Sequence, residues 1–518
     1  MTKRIVSNLD KSYYPTAPIV PSTEIVHDRV NVELFRGCVR GCRFCQAGYV
    51  YRPIRARSAE RVIEIGKESL KNTGCQEATL LSLSSSDYKH LTEACDGLLD
   101  WCEPQNISLS LPSLRADNFS MELMSRLQKV RRGGLTFAPE AGTQRLRDVI
   151  NKNVTEDDLL NTCRISFEGG WNGIKLYFML GLPTETDEDV RGIADLASKV
   201  LHVWRQYSPN KQRGVRITVS TSCFIPKPHS PFQWEAQVSM EEYRRRVELL
   251  RSSITAKNVS YNWHDPDTSF VEAALSRGDR KIADVIEAVW RAGGRMEAWS
   301  DYFRFERWMR AFEDCGLDPA FYASRERGED EVLPWCRVNM GVRESLLLRE
   351  RHRPTRRSSR RTAARPALPA GPRRCWRRAD AMDKLRLRFQ KAGKAVYISH
   401  LDLMRVVQRI FLRAGTPIKY SEGFNPHALI SICLPLSVGM ASECELMDFR
   451  VTREVELAAL PETLNAVSPE GVRFLAAYEP ERKAALIKWL RVRCEFEYDS
   501  RDALALLPSL RRISPRLR

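Results

Sequence analysis

The sequence has no run approaching the ~20 consecutive apolar residues that a membrane-spanning helix requires. Its longest apolar stretch, Ile174–Leu182, carries Lys175 inside it. The opening MTKRIVSNLDKSYYP lacks the apolar core of a secretory leader. These absences point to a cytoplasmic protein without a membrane span, whose cysteines are reduced thiols or metal ligands rather than disulfides. There is also no low-complexity bias across the chain and no collagen-like repeat. With 43% hydrophobic and 28% charged residues, the composition is that of globular protein. A length of 518 residues exceeds what one hydrophobic core serves, so two or three domains are expected.

Positive charge is in excess, at a formal +17, but unevenly placed. Residues 349–378 hold twelve Arg, no Lys and one acid, Glu350, a net +11 that leaves +6 for the rest of the chain. Like charges among Ala, Pro and Ser read as a self-repelling, disordered linker. The expected division is 1–240, 241–348, a linker over 349–382, and 383–518, with the last domain truncated.

Of fourteen cysteines, eleven stand singly and read as small buried hydrophobes. The other three, Cys38, Cys42 and Cys45, lie together in FRGCVRGCRFCQAGYVYRP with the spacing C-x-x-x-C-x-x-C. Three thiolates on a Gly- and Arg-rich loop after a β-type run suit one soft metal centre or an iron–sulfur cluster. Structural zinc takes four ligands, and no fourth Cys or His lies nearby. A cubane cluster held by three thiolates would keep one iron open. A zinc site with a distant fourth ligand and three unconnected loop cysteines are the competing readings.

With Phe44 before the last cysteine, this string resembles the signature of radical S-adenosylmethionine (SAM) enzymes. The resemblance implies a [4Fe–4S] cluster on Cys38, Cys42 and Cys45, with SAM chelated to the fourth iron. It implies reductive cleavage of SAM to methionine and a 5′-deoxyadenosyl radical. It places Phe44 near the adenine. An electron donor of the flavodoxin or ferredoxin type is then the expected partner.

Six β-type runs alternate with helical patterns: Val32–Phe35, Leu80–Ser84, Ile107–Leu111, Gly134–Ala138, Ile174–Leu180 and Arg216–Ser220. The alternation predicts a parallel sheet with helices outside, an α/β partial (β/α)6 barrel. Functional groups in such barrels gather at the C-terminal strand ends. Those ends carry Ser84, Ser85, Ser86 and Asp87; then Ser113 to Asp117; then Glu140 with Arg145; then Gly181 and Pro183; then Phe224 and Ile225. Hydroxyls at 84–86 suit an ammonium group, and the resemblance assigns them to the methionine end of SAM. Glu140 suits ribose hydroxyls, and Arg145 suits a carboxylate. Gly181, Pro183, Phe224 and Ile225 suit the adenine. The plainer readings are an N-cap, a surface ion pair and simple turns.

The strings GGLTFAPEAGTQRLRDVINKNVT, IKLYFMLGLPTETDED and FIPKPHSPFQW resemble one radical SAM subfamily. That subfamily carries a cobalamin-binding-like region before the barrel and a radical-SAM-associated domain of unknown function after it. Too few residues precede Cys38 here for the former, so cobalamin is not expected. No catalytic residue is assigned.

Residues 240–348 read as appended helices, a packing layer rather than a lid, with His264 and Asp301 among aromatics. Residues from 384 on read β-α-β-β, a smaller α+β domain of ferredoxin-like type. Its Arg405, Arg409, Arg413, Lys419 and His427 suit phosphates or, more plainly, a solvated basic face. RNA is the favoured substrate class, with protein or metabolite substrates as alternatives. The competing function class is a nucleic-acid-binding protein with a structural or redox-sensing cluster.

Overall fold

The computed structural model describes residues 1–112, 115, 121–127, 129–130, 134–212, 214–353, 384–421 and 426–487. The expectations for Ser113, Leu114, Ala116 and Asp117, for most of the Arg-rich linker, and for residues 501–518 lie outside these.

The N-terminal part is built on parallel strands. Strand β1 (Val30–Glu33) leads into a short ribbon, β2 (Phe35–Arg36) with β3 (Arg55–Ala56), that brackets the cysteine loop. Strands β4 (Glu77–Leu81) and β5 (Ser108–Ser110) follow, and β1, β4 and β5 form one parallel sheet in that order. Strands β6 (Leu135–Glu140), β7 (Gly173–Leu180), β8 (Arg216–Cys223) and β9 (Val259–Trp263) form a second parallel sheet. Among the described residues the two sheets are not joined by a ladder. Together they supply the parallel core expected of the partial barrel.

Helices cover the outside because their apolar stripes match the sheet. Ala59–Thr73 buries Val62, Ile65 and Leu70, and Asp187–Tyr207 buries Val190, Ile193, Ala197 and Val200. Each starts at a polar cap. Ser58 accepts from the Arg61 N–H at 3.2 Å, and Thr186 forms a capping box with Asp189, devices worth ~1 kcal/mol each. The strand interiors, such as Val32, Leu80, Leu176 and Ile217, share one continuous core with these helices.

Two expectations are corrected here. Residues 240–348 are not helical throughout: β9 pairs in parallel with β8 from Ile217↔Val259 to Thr221↔Trp263. It escaped notice because VSYNW is a half-exposed edge strand without the apolar run of a central one. The Arg-rich segment also begins inside a helix, Glu344–Arg351. Arg351 there is held by three carboxylates, Glu235, Glu326 and Glu329, each at 2.8 Å. Beyond β9, helices Pro266–Arg277, Ile282–Arg291, Phe305–Asp314 and Pro319–Ala323 pack around Phe270, Val285, Trp308 and Phe312. The aromatics of this region are divided, since Trp290, Trp299 and Tyr302 are exposed.

The C-terminal part is a separate antiparallel sheet. Strands β10 (Leu385–Lys391), β11 (Ile430–Ile432), β12 (Ser442–Phe449) and β13 (Val472–Tyr478) lie in the order β11-β12-β10-β13. Helix His400–Arg413 follows β10 and helix Leu460–Asn465 precedes β13. This β-α-β-β-α-β succession is the ferredoxin-like one. The run Ile418–Tyr420 makes only isolated bridges, to Val451 and Ala428.

Helix His400–Arg413 rests on the N-terminal part. Arg409 bonds Asp28 and the Pro21 carbonyl, Arg405 bonds Glu24 at 2.8 Å, and Tyr420 accepts from Gln76. Gly74, at φ +68°, packs so closely that a Cβ would stand 2.7 Å from the Arg409 carbonyl oxygen. Asp28 precedes β1 and Gly74 precedes β4, so the second domain meets the N-terminal ends of the parallel strands.

Candidate functional site

The cysteine loop lies at the opposite, C-terminal ends of those strands. It leaves β2 through Gly37, whose φ of +95° and position 2.8 Å (as a would-be Cβ) from the Tyr51 carbonyl oxygen admit no side chain. A turn closes between Cys42 and Cys45, where the Cys45 N–H donates to the Cys42 carbonyl at 3.2 Å.

Neighbouring strand ends then hold the loop. The Arg40 guanidinium forks onto Asp87, after β4, at 2.9 and 2.6 Å. Asn151 donates to the Gly41 carbonyl at 2.7 Å, and Arg43 donates to the Val149 carbonyl at 2.6 Å, both after β6. Gln46 donates to the Pro228 carbonyl at 3.0 Å, after β8. Arg52 closes the loop on itself through the Gly48 and Arg40 carbonyls.

The thiols differ in their surroundings. Burial pushes Cys42 up to about 11, against the pull of the Lys152 and Arg115 cations. Burial also raises Cys45, opposed by the Gly48 and Ala47 N–H groups that point at its sulfur. Cys38 is half-buried and borders an open cavity of about 540 Å³ with Lys3, Val39, Arg52 and Ile54. No three His, Cys, Asp or Glu side chains among the described residues converge closely enough to hold a single ion. A cubane cluster makes a different demand, since its thiolates bind separate irons and ring the cluster. Three soft sulfurs, one receiving backbone N–H groups, fit that donor chemistry.

The strand-end residues divide into groups. Ala141, Leu146, Ile150, Leu182, Phe224 and Phe232 form a small apolar cluster with Phe44 packed against it. Thus Phe44, the Gly181–Pro183 turn and Phe224 do meet beside the cysteine loop. Ile225 does not join them; it packs into the core of the appended helices. Glu140 pairs with Lys152 at 3.0 Å, and Lys152 lies 6.0 Å from the Phe44 ring centroid. Glu140 holds a left-handed φ of +69° where the β6–β7 register shifts. Arg145 pairs elsewhere, with Asp189 and Thr184, so Glu140 and Arg145 are not partners.

Ser84, Ser85 and Ser86 are buried. Ser84 donates to Asp87 at 2.7 Å, Ser85 pairs with Ser82 at 2.9 Å, and Ser86 accepts the Arg115 N–H at 3.0 Å. Burial would raise the Asp87 carboxyl, but the bonds from Arg40 and Ser84 outweigh it and hold Asp87 below the usual carboxylate range. Glu185 was not singled out from the sequence; it is buried, accepting the Gly181 N–H at 2.6 Å and pairing with Arg246. Lys152, Asn151 and Arg43 were also missed, because nothing in their local pattern separates them from surface residues. His264 is exposed, and Asp265 after it caps helix Pro266–Arg277.

A parallel barrel core with this cysteine loop at its C-terminal strand ends defines a radical SAM domain. Residues 32–197 match the model of the radical SAM superfamily. Residues 384–504 match a family described as an uncharacterized protein conserved in bacteria, DUF2344. The chain therefore carries a radical SAM superfamily domain followed by a DUF2344 domain. That superfamily implies a [4Fe–4S] cluster and SAM.

The chain is 30% identical over 290 residues to an uncharacterized protein of Methanocaldococcus jannaschii, covering 55% of this chain and 60% of that one. It is 26% identical over 208 residues to the tRNA-2-methylthio-N(6)-dimethylallyladenosine synthase of Lachnoclostridium phytofermentans, covering 38% and 45%. Neither match reaches two thirds of the relative's length. Among solved structures, it is similar to the radical SAM methyltransferase TsrM of Kitasatospora setae, at 16% identity and a TM-score of 0.33, over 40% of this chain and 38% of that one. No helix among the described residues is long and apolar enough to cross a membrane.

Proposed function

We propose that this protein is a radical SAM enzyme whose Cys38, Cys42 and Cys45 hold the cluster, with RNA as the substrate class. The observation that carries the reading is the triple-thiol loop, tied by Arg40, Asn151 and Gln46 to three separate strand ends. When bound, the cluster supplies an electron to the sulfonium of SAM. The chain's own residues do the rest of the work. Phe44, Leu182 and Phe224 give an apolar wall that keeps water from the adenine side. Glu140, held by Lys152, offers a carboxylate to ribose hydroxyls. Ser84, Ser85 and Ser86 reach an ammonium group by exchanging their present partners. Arg145 supports the β7 turn through Thr184.

The relative named as a tRNA-modifying synthase supports the RNA reading. The helix in the second domain does not. Arg405, Arg409 and Arg413 are engaged with Glu24, Asp28 and the Val467 carbonyl, rather than presented to phosphates.

The test is anaerobic reconstitution, reduction, and assay for 5′-deoxyadenosine. Its absence from a reconstituted, reduced protein would sink the enzyme reading. Comparative mass spectrometry of RNA from cells with and without the protein tests the substrate class, and unchanged nucleosides would remove RNA.

A further inference from the structure

The sheet of β6 to β9 has two faces of opposite character. Leu176, Ile217 and Tyr261 turn to the helices and share their core. Strand alternation sets Lys175, Tyr177 and Met179 of β7 on the other face, toward the barrel interior. The ladder register places Ser220 and Asn262 in one row with Tyr177, and Thr218 and Ser260 in the row of Lys175. Ser260 donates to the Thr218 hydroxyl at 3.1 Å across this face.

The inner face is polar and has no negative charge of its own. None of β7, β8 and β9 contains an Asp or a Glu. The one acid in β6, Glu140, is taken by Lys152 at 3.0 Å. Lys175 is half-buried and has no carboxylate partner among the described residues. Its ammonium rests 4.5 Å from the centroid of the Tyr177 ring. A ring face is a weak partner for an ammonium beside a charge-assisted bond to an oxyanion. Tyr177 is 40% exposed, so the position is open to a ligand.

The lean of Lys175 over Tyr177 carries its charge along β7 toward the cysteine loop. Two residues further on, Met179 packs against the apolar cluster that includes Leu182 and Phe224 and against which Phe44 also rests. Two residues of strand span ~7 Å, so one small molecule can reach from that cluster to the ammonium.

We propose that this inner face recognises the substrate and that Lys175 binds a phosphate or carboxylate group carried by it. The proposal rests on the radical SAM reading and narrows the substrate to molecules with such an anionic group. Tyr177, Ser220 and Asn262 add neutral hydrogen bonds from the adjoining row. Lysine suits the role as a compact point charge on a flexible stem.

The experiment follows acetylation of Lys175 in the reconstituted full chain by peptide mass spectrometry, with exposed Lys257 as the internal reference. Inorganic phosphate and succinate are compared with chloride at equal ionic strength, which removes general screening. Phosphate or succinate should slow Lys175 at least threefold and leave Lys257 unchanged. The arm that protects separates a phosphorylated substrate from a carboxylate one. Equal rates in all three salts overturn the proposal. The protecting anion should also raise the Tm of the parent protein. Lys175→Met should lose at least half of that rise, and Lys175→Arg, which keeps the charge, should retain most of it. An equal rise in the Lys175→Met variant overturns the proposal as well. None of these readouts involves SAM cleavage, so missing 5′-deoxyadenosine defeats the enzyme reading and leaves the anion result standing.

Discussion

The Arg40 guanidinium and the Asp87 carboxylate face each other in a two-point fork, at 2.9 and 2.6 Å, across the gap between the cysteine loop and the end of β4. One residue lies between Cys38 and Cys42, the other directly after the buried serines. The fork therefore fixes the loop to the strand end that is proposed to hold SAM.

Breaking that fork should loosen the loop. Asp87→Asn is expected to cost ~1–3 kcal/mol, from the lost charge-assisted pair with Arg40. The pair also carries a pH signature. The carboxyl is depressed in the folded protein, so its contribution is present above the unfolded carboxylate range and is lost as pH falls through the lower folded value. Thermal melts of parent and variant should converge in acid. A gap that persists at low pH would refute the assignment.

Burial should make Cys42 slow to react in the metal-free protein. With Cys42 pushed to about 11 from 9.0, its thiolate fraction at neutral pH is roughly a hundredfold below that of an ordinary thiol. Timed alkylation with mass spectrometry should label Cys38 well before Cys42, and raising the pH should narrow the difference. Cys42→Ala should abolish the iron–sulfur chromophore and SAM cleavage together.

Glu140 stores backbone strain at the site. Glu140→Ala and Glu140→Gly lose the same Lys152 pairing, yet only glycine accepts φ +69° freely. The glycine variant should be more stable than the alanine variant by ~1 kcal/mol in denaturant midpoints. Both should bind SAM less well than the parent. The reverse order of stability would show that the strand end relaxes.

Much of this was legible in advance. The parallel runs Ile174–Leu180 and Arg216–Ser220 are apolar enough to mark buried strands, and the structure extends the second to Cys223. The cysteine spacing pointed to the metal chemistry because three thiols so close have few other uses. Lys152 and Asn151 were invisible because their roles come from strand ends distant in sequence. The basic helix misled for the same reason: Arg409 has no local feature that announces Asp28, 381 residues away. Strand β9 was hidden by its exposure.

The contact between the two domains is tight enough to test by a single methyl-bearing substitution. Gly74→Val adds a clash with the Arg409 backbone and a side chain at φ +68°, at an expected cost of ~2 kcal/mol or more. Limited proteolysis should then release the C-terminal domain faster than in the parent. Equal rates would show that the two parts do not depend on this contact.

That contact sets the described part of the C-terminal domain at the end of the strands away from the cysteine loop. The C-terminal domain grips the strands by their tails while the thiol loop sits at their heads. An immobilisation point or a reporter dye on β11 or β13 would stand off from the chemistry, so the domain serves as a handle by which the enzyme can be held while bulky molecules approach the other end.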